Sequence, residues 1–171
     1  MATLTNEPEA TIAINAIPDS QCGCDGCVKM CIQRPCWPTP AEAKAIIDAG
    51  FGNKLNLDWW MCDRYDNEFA DIYILGPATV GHEGSRAPDG FIPMYGPCAM
   101  LTDDKRCILH EPGLKPVEGR KAMSERHHDD FAAKYHWKMR DLHGAVAGTW
   151  NNKEGQELAR SWATERGNVL R

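Results

Sequence analysis

Apolar residues recur at steps of three and four between about residues 124 and 150. The series consists of Phe131, Tyr135, Met139, Leu142, Val146 and Trp150. This spacing predicts a long helix with one apolar face against the core. Asn151 and Glu154 then have the spacing of a capping box, which predicts a last helix with Leu158 and Trp162 on one side.

A shorter helix is predicted after the cysteine-rich segment. Thr39 has the type of an N-cap residue, Pro40 suits the first helical position, and Glu42 can bond back to the cap amide. Gly50 can adopt the left-handed conformation in which helices end. We therefore expect a helix between Thr39 and Gly50.

The middle of the chain has a weaker pattern. Residues 71–75 are rich in β-forming side chains and are followed by Gly76 and Pro77, so they predict a strand. Residues 54–62 contain two adjacent tryptophans and leave the choice between helix and strand open. Residues 76–97 are rich in glycine and proline and predict an irregular loop.

Cysteine is concentrated in two places. Five cysteines lie between residues 22 and 36: Cys22, Cys24, Cys27, Cys31 and Cys36. With its glycines and prolines, the segment from Cys22 to Pro40 predicts a tight ligand loop rather than a helix or strand. Such spacing allows several thiolates to converge on one metal ion.

A second pair, Cys98 and Cys107, flanks residues 102–105, which have the composition of a turn. A hairpin would bring the two cysteines side by side, and each group could then supply half of a tetrahedral site. His110 is a further candidate ligand or an ordinary surface histidine.

Composition adds limits on location and partners. The 171 residues have a net charge of -5, which gives no electrostatic case for nucleic-acid binding. Residues 1–20 lack a secretory pattern and predict a flexible arm ahead of a single domain over 21–171. No apolar stretch is long enough to cross a bilayer, so we expect a cytoplasmic protein with no membrane contact and an unknown protein partner. Thiols stay reduced in the cytoplasm, which favours metal ligation over disulfides.

The order of these motifs resembles the YkgJ-type cysteine-cluster family, described as zinc- or iron-chelating. Its members have a CxxCxxCC motif, a Pro-Glu helix start, a pair of cysteines about eight residues apart and an Arg-Pro-x-x-Cys-Arg segment. The matching positions of this chain are Cys24, Cys27, Cys31, Thr39 to Glu42, Cys98 and Cys107. The resemblance covers roughly residues 22–120 and implies that these cysteines ligate one metal centre.

Two positions depart from that pattern. Met30 replaces one family cysteine and Gly119 replaces the late one. Cys22, Cys36 and Cys62 are surplus, and we expect one of them to supply the sulfur that Gly119 lacks. Glu118 is a weaker candidate, as an oxygen ligand.

The sequence therefore predicts an α+β, metal-stapled domain with irregular cysteine-rich loops, a short β-hairpin and three to four helices, the longest near the C-terminus. Four thiolates suit either Zn²⁺ or a 4Fe-4S cluster, with a slight preference for iron-sulfur. The centre could serve electron transfer, sensing or assembly. The alternatives are a zinc-stapled interaction module and a metal-dependent enzyme with an open coordination position, for which no catalytic motif is present.

Overall fold

The computed structural model describes Ile14, Asp19 and residues 25–85, 96–121 and 139–168, a few of them by backbone alone. This part of the chain confirms the expected mixture of helices and antiparallel sheet. The helices are α1 (Asp25–Gln33), α2 (Pro40–Ile46), α3 (Val117–Lys121), α4 (Met139–Gly148) and α5 (Lys153–Glu165). The strands are β1 (Leu55–Asp63) and β2 (Phe69–Pro77).

Helix α1 corrects the expectation of a ligand loop from Cys22 to Pro40. Residues 25–33 are helical, and within the described part of this segment only residues 34–39 belong to no helix or strand. The glycines and cysteines suggested a loop, but residues 27–33 contain neither proline nor glycine and tolerate a helix. Pro35 comes directly after Arg34, where a helix has to stop.

Helix α2 begins as predicted. The Thr39 side chain accepts from the backbone of Glu42, and the Glu42 side chain accepts from the Thr39 amide at 2.9 Å. A π-turn and a 3-10 turn follow, and Gly50 within them has φ 90, which glycine adopts without strain. The capping box and the role of Gly50 are therefore confirmed.

The two strands form one antiparallel hairpin, in which Trp59 lies opposite Tyr73 and Cys62 opposite Ala70. The predicted strand at residues 71–75 is confirmed, and the undecided segment 54–62 is its partner. Ile72 and Ile74 are fully buried and Tyr73 nearly so, which shows that both faces of β2 are covered. The hairpin of the described residues is therefore β1–β2 and not the predicted one between Cys98 and Cys107.

Helix α5 packs on β2, and its first turn differs by one residue from the prediction. Asn152 is the N-cap, accepting from the Gly155 amide at 2.8 Å, whereas Asn151 bonds to the hairpin at Tyr65. The buried Gln156 side chain accepts from the Tyr73 amide and donates to the Tyr73 carbonyl, at 2.9 and 3.0 Å. This pair of bonds fixes α5 against β2.

The long helix predicted over about 124–150 is described only at its end, as α4. Leu142 and Val146 are buried in α4, and Trp150 is buried just after it, as the apolar stripe requires. The Met139 side chain is not described, and Phe131 and Tyr135 lie outside the described residues. Near the start of the chain, Ile14 is buried in the core and Asp19 pairs with Lys121. Within the described ranges no helix has the length and apolar character to span a membrane.

Candidate metal centre

Four cysteines line one small cavity between α1, β2 and the segment before α3. They are Cys31, Cys36, Cys98 and Cys107. Apolar side chains, among them Met100 and Leu109, form much of the remaining wall. The cavity is partly open and has about 20 Å³ of space for the centre of a water-sized sphere, which is enough for one water molecule or one metal ion.

Backbone bonds hold the first and second cysteine groups together. The Cys98 amide donates to the Cys31 carbonyl at 3.1 Å, and the Gly96 amide donates to the Gln33 carbonyl at 2.6 Å. The end of α1 is therefore joined to the start of the second group, although the two are more than sixty residues apart in sequence. A bridge between Thr79 and Cys98 ties the same segment to the end of β2.

The second group is a tight turn with a different register from the expected hairpin. Leu101 pairs with Cys107, so Cys98 and Cys107 do not face each other across two strands. The Ile108 amide donates to the Met100 carbonyl at 2.9 Å, which folds residue 107 back over residues 98–101. Both cysteines still line the cavity, although they are not paired with each other across two strands.

Cys36 lies where the resemblance expects a cysteine at position 119. Gly119 also lines the cavity, and a Cβ atom added there would lie 3.3 Å from the Cys36 sulfur. The Cys36 sulfur therefore fills the space into which a side chain at position 119 would project. Of the three surplus cysteines, Cys36 is the one that the described structure brings to the cavity.

The other candidates lie elsewhere. Cys22 and Cys24 fall outside the described residues, and Cys27 lies one helical turn before Cys31 in α1, with its side chain not described. Cys62 is buried in β1 and is absent from the cavity wall. His110 is exposed.

The four thiols have different proton affinities. A hydrogen bond from Cys36, helped by the positive charge of Lys115 and opposed by burial, lowers the pKa of Cys31 to about 7. The same hydrogen bond, together with burial, raises the pKa of Cys36 well above its usual value. Burial raises the pKa of Cys98 to about 12 and also raises that of Cys107.

A buried carboxylate supports the segment that carries Cys36. Glu118 is fully buried and bonds to the Arg34 guanidinium, to the Trp37 amide at 2.6 Å and to His143 Nδ1 at 2.9 Å. Its oxygens are thus engaged by residues on both sides of Cys36, which argues against Glu118 as a metal ligand. Burial acts to raise the pKa of Glu118, but the bond from His143 and the charge of Arg34 outweigh it and lower the pKa.

Three residues of this network were not singled out from the sequence. The His143 ring stacks on Trp37 with centroids 3.7 Å apart, and Trp60 lies edge-on to both rings. Arg34, Trp37 and His143 lie up to 109 residues apart along the chain, so no local spacing indicates that they meet. The only local indication of this network was that Arg34 and Trp37 lie close to Cys36 in the sequence.

Within the described ranges, no three His, Cys, Asp or Glu side chains already form a group that could hold an ion. The four thiols therefore surround the cavity without meeting at one point. Comparisons of the chain with protein-family models, with curated proteins and with solved structures give no match.

Proposed function

We propose that Cys31, Cys36, Cys98 and Cys107 bind a single Zn²⁺ ion that staples this domain. The observation that carries the proposal is the convergence of four thiols from three separate segments on one small cavity. Four cysteine thiolates are a common donor set of structural zinc, with zinc–sulfur bonds of about 2.3 Å.

Zinc fits the cavity better than the iron-sulfur cluster that the sequence slightly favoured. A single ion needs far less room in this small cavity than the eight inorganic atoms of a 4Fe-4S cluster. The Cys31 and Cys36 thiols are also hydrogen-bonded to each other. Thiolates on one zinc ion are neighbours, whereas those of a four-iron cluster bind different irons and lie farther apart.

A structural role is favoured over catalysis. Four thiolates close a tetrahedral shell, and catalytic zinc sites keep one position for water or substrate. The metal would join the end of α1, the segment 34–39 and the turn at residues 98–107. The protein would then act through the surface that this staple holds in place, as an interaction module.

Zinc content of cysteine variants tests the ligand set. We expect the purified protein to hold about one zinc per chain, Cys36→Ser to lose most of it, and Cys62→Ser to keep it, because Cys62 is buried away from the cavity. Elemental analysis of the three proteins measures this. Full zinc in Cys36→Ser would contradict the ligand set, and a brown protein absorbing near about 400 nm would indicate an iron-sulfur cluster instead.

Moving the sulfur provides a sharper control. The double variant Cys36→Ala with Gly119→Cys should recover zinc that Cys36→Ala alone has lost, because position 119 projects into the space of the Cys36 sulfur. Recovery would show that the loss came from the missing thiolate and not from misfolding. Failure of the folded double variant to bind zinc would contradict the equivalence of the two sulfur positions.

Chelation of the metal should loosen the stapled segments. Zinc at 100 times its dissociation constant stabilises the folded state by about 2.7 kcal/mol, which corresponds to about 5–10 °C in melting temperature for a chain of this size. We expect a strong chelator to cause that loss and to expose residues 34–39 to protease first. An unchanged melting temperature together with unchanged cleavage would show that the metal is incidental to folding.

A further inference from the structure

We propose that Cys31 and Cys36 form a peroxide-sensitive pair, whose oxidation to a disulfide removes two of the four metal ligands. The disulfide itself follows from the thiol geometry. The release of zinc that accompanies it rests on the function proposed above.

The two sulfurs are already neighbours. The Cys36 thiol is hydrogen-bonded to the Cys31 sulfur, and both line the same cavity. Cys31 lies near the end of α1, and Cys36 lies in the irregular segment that follows it, so only four residues lie between them. Such a short connection, which belongs to no helix or strand after Gln33, can adjust to the Cα separation of about 4.4–6.8 Å that a disulfide requires.

The two sulfurs differ in access. Cys31 is half-buried, whereas Cys36 is 8% exposed. A small oxidant therefore reaches Cys31 first, and Cys36 is in position to react with the product. An accessible thiol beside a resolving thiol is the usual arrangement of a redox-sensitive pair.

The other described thiols are less suited to pairing. Cys98 is held by a bridge to Thr79 and Cys107 by a bridge to Leu101, so the backbone of each is fixed to a different partner. Cys62 is buried in β1 away from the cavity. Among the four thiols that line the cavity, Cys31 and Cys36 are the two that share a hydrogen bond.

The reaction needs hydrogen peroxide as its oxidant. The Cys31 sulfur attacks one peroxide oxygen, the oxygen–oxygen bond breaks, and a sulfenic acid and hydroxide form. The Cys36 sulfur then attacks the sulfenic sulfur, which forms the sulfur–sulfur bond and expels a second hydroxide. The two thiol protons convert both hydroxides to water. Two thiols therefore lose two electrons to one peroxide, which becomes two molecules of water.

Oxidation also opens the metal shell. A disulfide sulfur is a poor zinc ligand because the thiolate is the ligating form. Only Cys98 and Cys107 would remain, and two thiolates hold zinc far more weakly than four. A thiol reductant would restore the original site, so the staple would open and close with the redox state.

Differential alkylation of the full chain, with and without zinc, tests the disulfide. After treatment with one equivalent of hydrogen peroxide, we expect Cys31 and Cys36 to become unreactive to an alkylating reagent together, and to recover together on reduction. Cys62→Ser should behave like the unaltered protein. Cys36→Ser should leave Cys31 without a resolving partner, so that one equivalent of peroxide forms the sulfenic acid and a second equivalent oxidises it further to the sulfinic acid.

The two proposals fail in different ways. A metal-free chain that forms the disulfide but never binds zinc would contradict the zinc site and leave the thiol pair standing. A zinc-loaded chain that keeps its zinc and forms no bond between Cys31 and Cys36 would overturn the switch. Pairing of Cys31 with a different cysteine would overturn it as well. Zinc release is followed with a colorimetric chelator in the same samples.

Discussion

Glu118→Gln should lower the free energy of unfolding by about 3 kcal/mol. The change leaves the Arg34 charge without its buried partner, and breaking such a pair costs about 3–5 kcal/mol. The lower end of this range applies because the Arg34 side chain is 21% exposed, so water can partly solvate its charge. Urea denaturation monitored by tryptophan fluorescence measures the loss.

The same variant should change how stability depends on pH. The pKa of Glu118 is lowered in the folded protein, from an ordinary value of 4.5. A carboxylate of this kind stabilises the fold above its unfolded pKa, and this contribution is lost as the pH falls through the folded pKa. The difference in stability between the unaltered protein and Glu118→Gln should therefore be full at neutral pH and shrink below about pH 4.5.

Glu68→Gln is the matched control. Glu68 also pairs with an arginine, Arg64, but its side chain is 70% exposed. Exposed pairs contribute about 0–1 kcal/mol, so this variant should be nearly neutral. If Glu118→Gln and Glu68→Gln lowered the free energy of unfolding equally, the large contribution assigned to the buried network would be contradicted.

Trp150→Ala should lower the free energy of unfolding by about 3–5 kcal/mol, or about 6–20 °C in melting temperature. Trp150 is fully buried, and its indole Nε1 donates to the Pro38 carbonyl at 2.8 Å. The substitution leaves a cavity and an unsatisfied carbonyl next to the segment that carries Cys36. Thermal unfolding followed by circular dichroism measures it.

Two further variants separate the contributions. Trp150→Phe retains most of the ring and loses the bond to Pro38, so a smaller loss of about 1–3 kcal/mol is expected. Phe69→Ala removes a ring that is 70% exposed at the end of the hairpin and should change stability by no more than about 0.5 kcal/mol. A Trp150→Ala protein as stable as Phe69→Ala would be inconsistent with the packing described above.

Local signals in the sequence were sufficient for several elements. The capping box at Thr39 and Glu42 depends on residues three apart, and the left-handed Gly50 depends on one residue. Both were predictable because the interactions that fix them are local. Helix α1 was missed because its flanking glycines, cysteines and prolines are typical of loops, whereas its own residues tolerate a helix.

The candidate site was predictable only in part, because its geometry is set by distant contacts. The order of the motifs indicated Cys24, Cys27, Cys31, Cys98 and Cys107, of which the last three line the cavity. The resemblance has a cysteine where this chain has Gly119, and from this we expected a surplus thiol to complete the site. The choice of Cys36 depends on the close approach of its sulfur to Gly119, 83 positions later in the chain. The salt bridge from Arg34 to Glu118 spans a similar distance, so spacing along the sequence carries no information about it.

The bonds from Gln156 to Tyr73 also affect how this hairpin meets other chains. An outer strand would attach to β2 through the amide and carbonyl of Tyr73, and both already bond to one glutamine side chain. An incoming strand would have to displace Gln156, which is 3% exposed, and leave its amide buried without these partners. Exposed strand edges are templates for aggregation, so this glutamine protects the outer edge of β2 at Tyr73 from pairing with a second molecule.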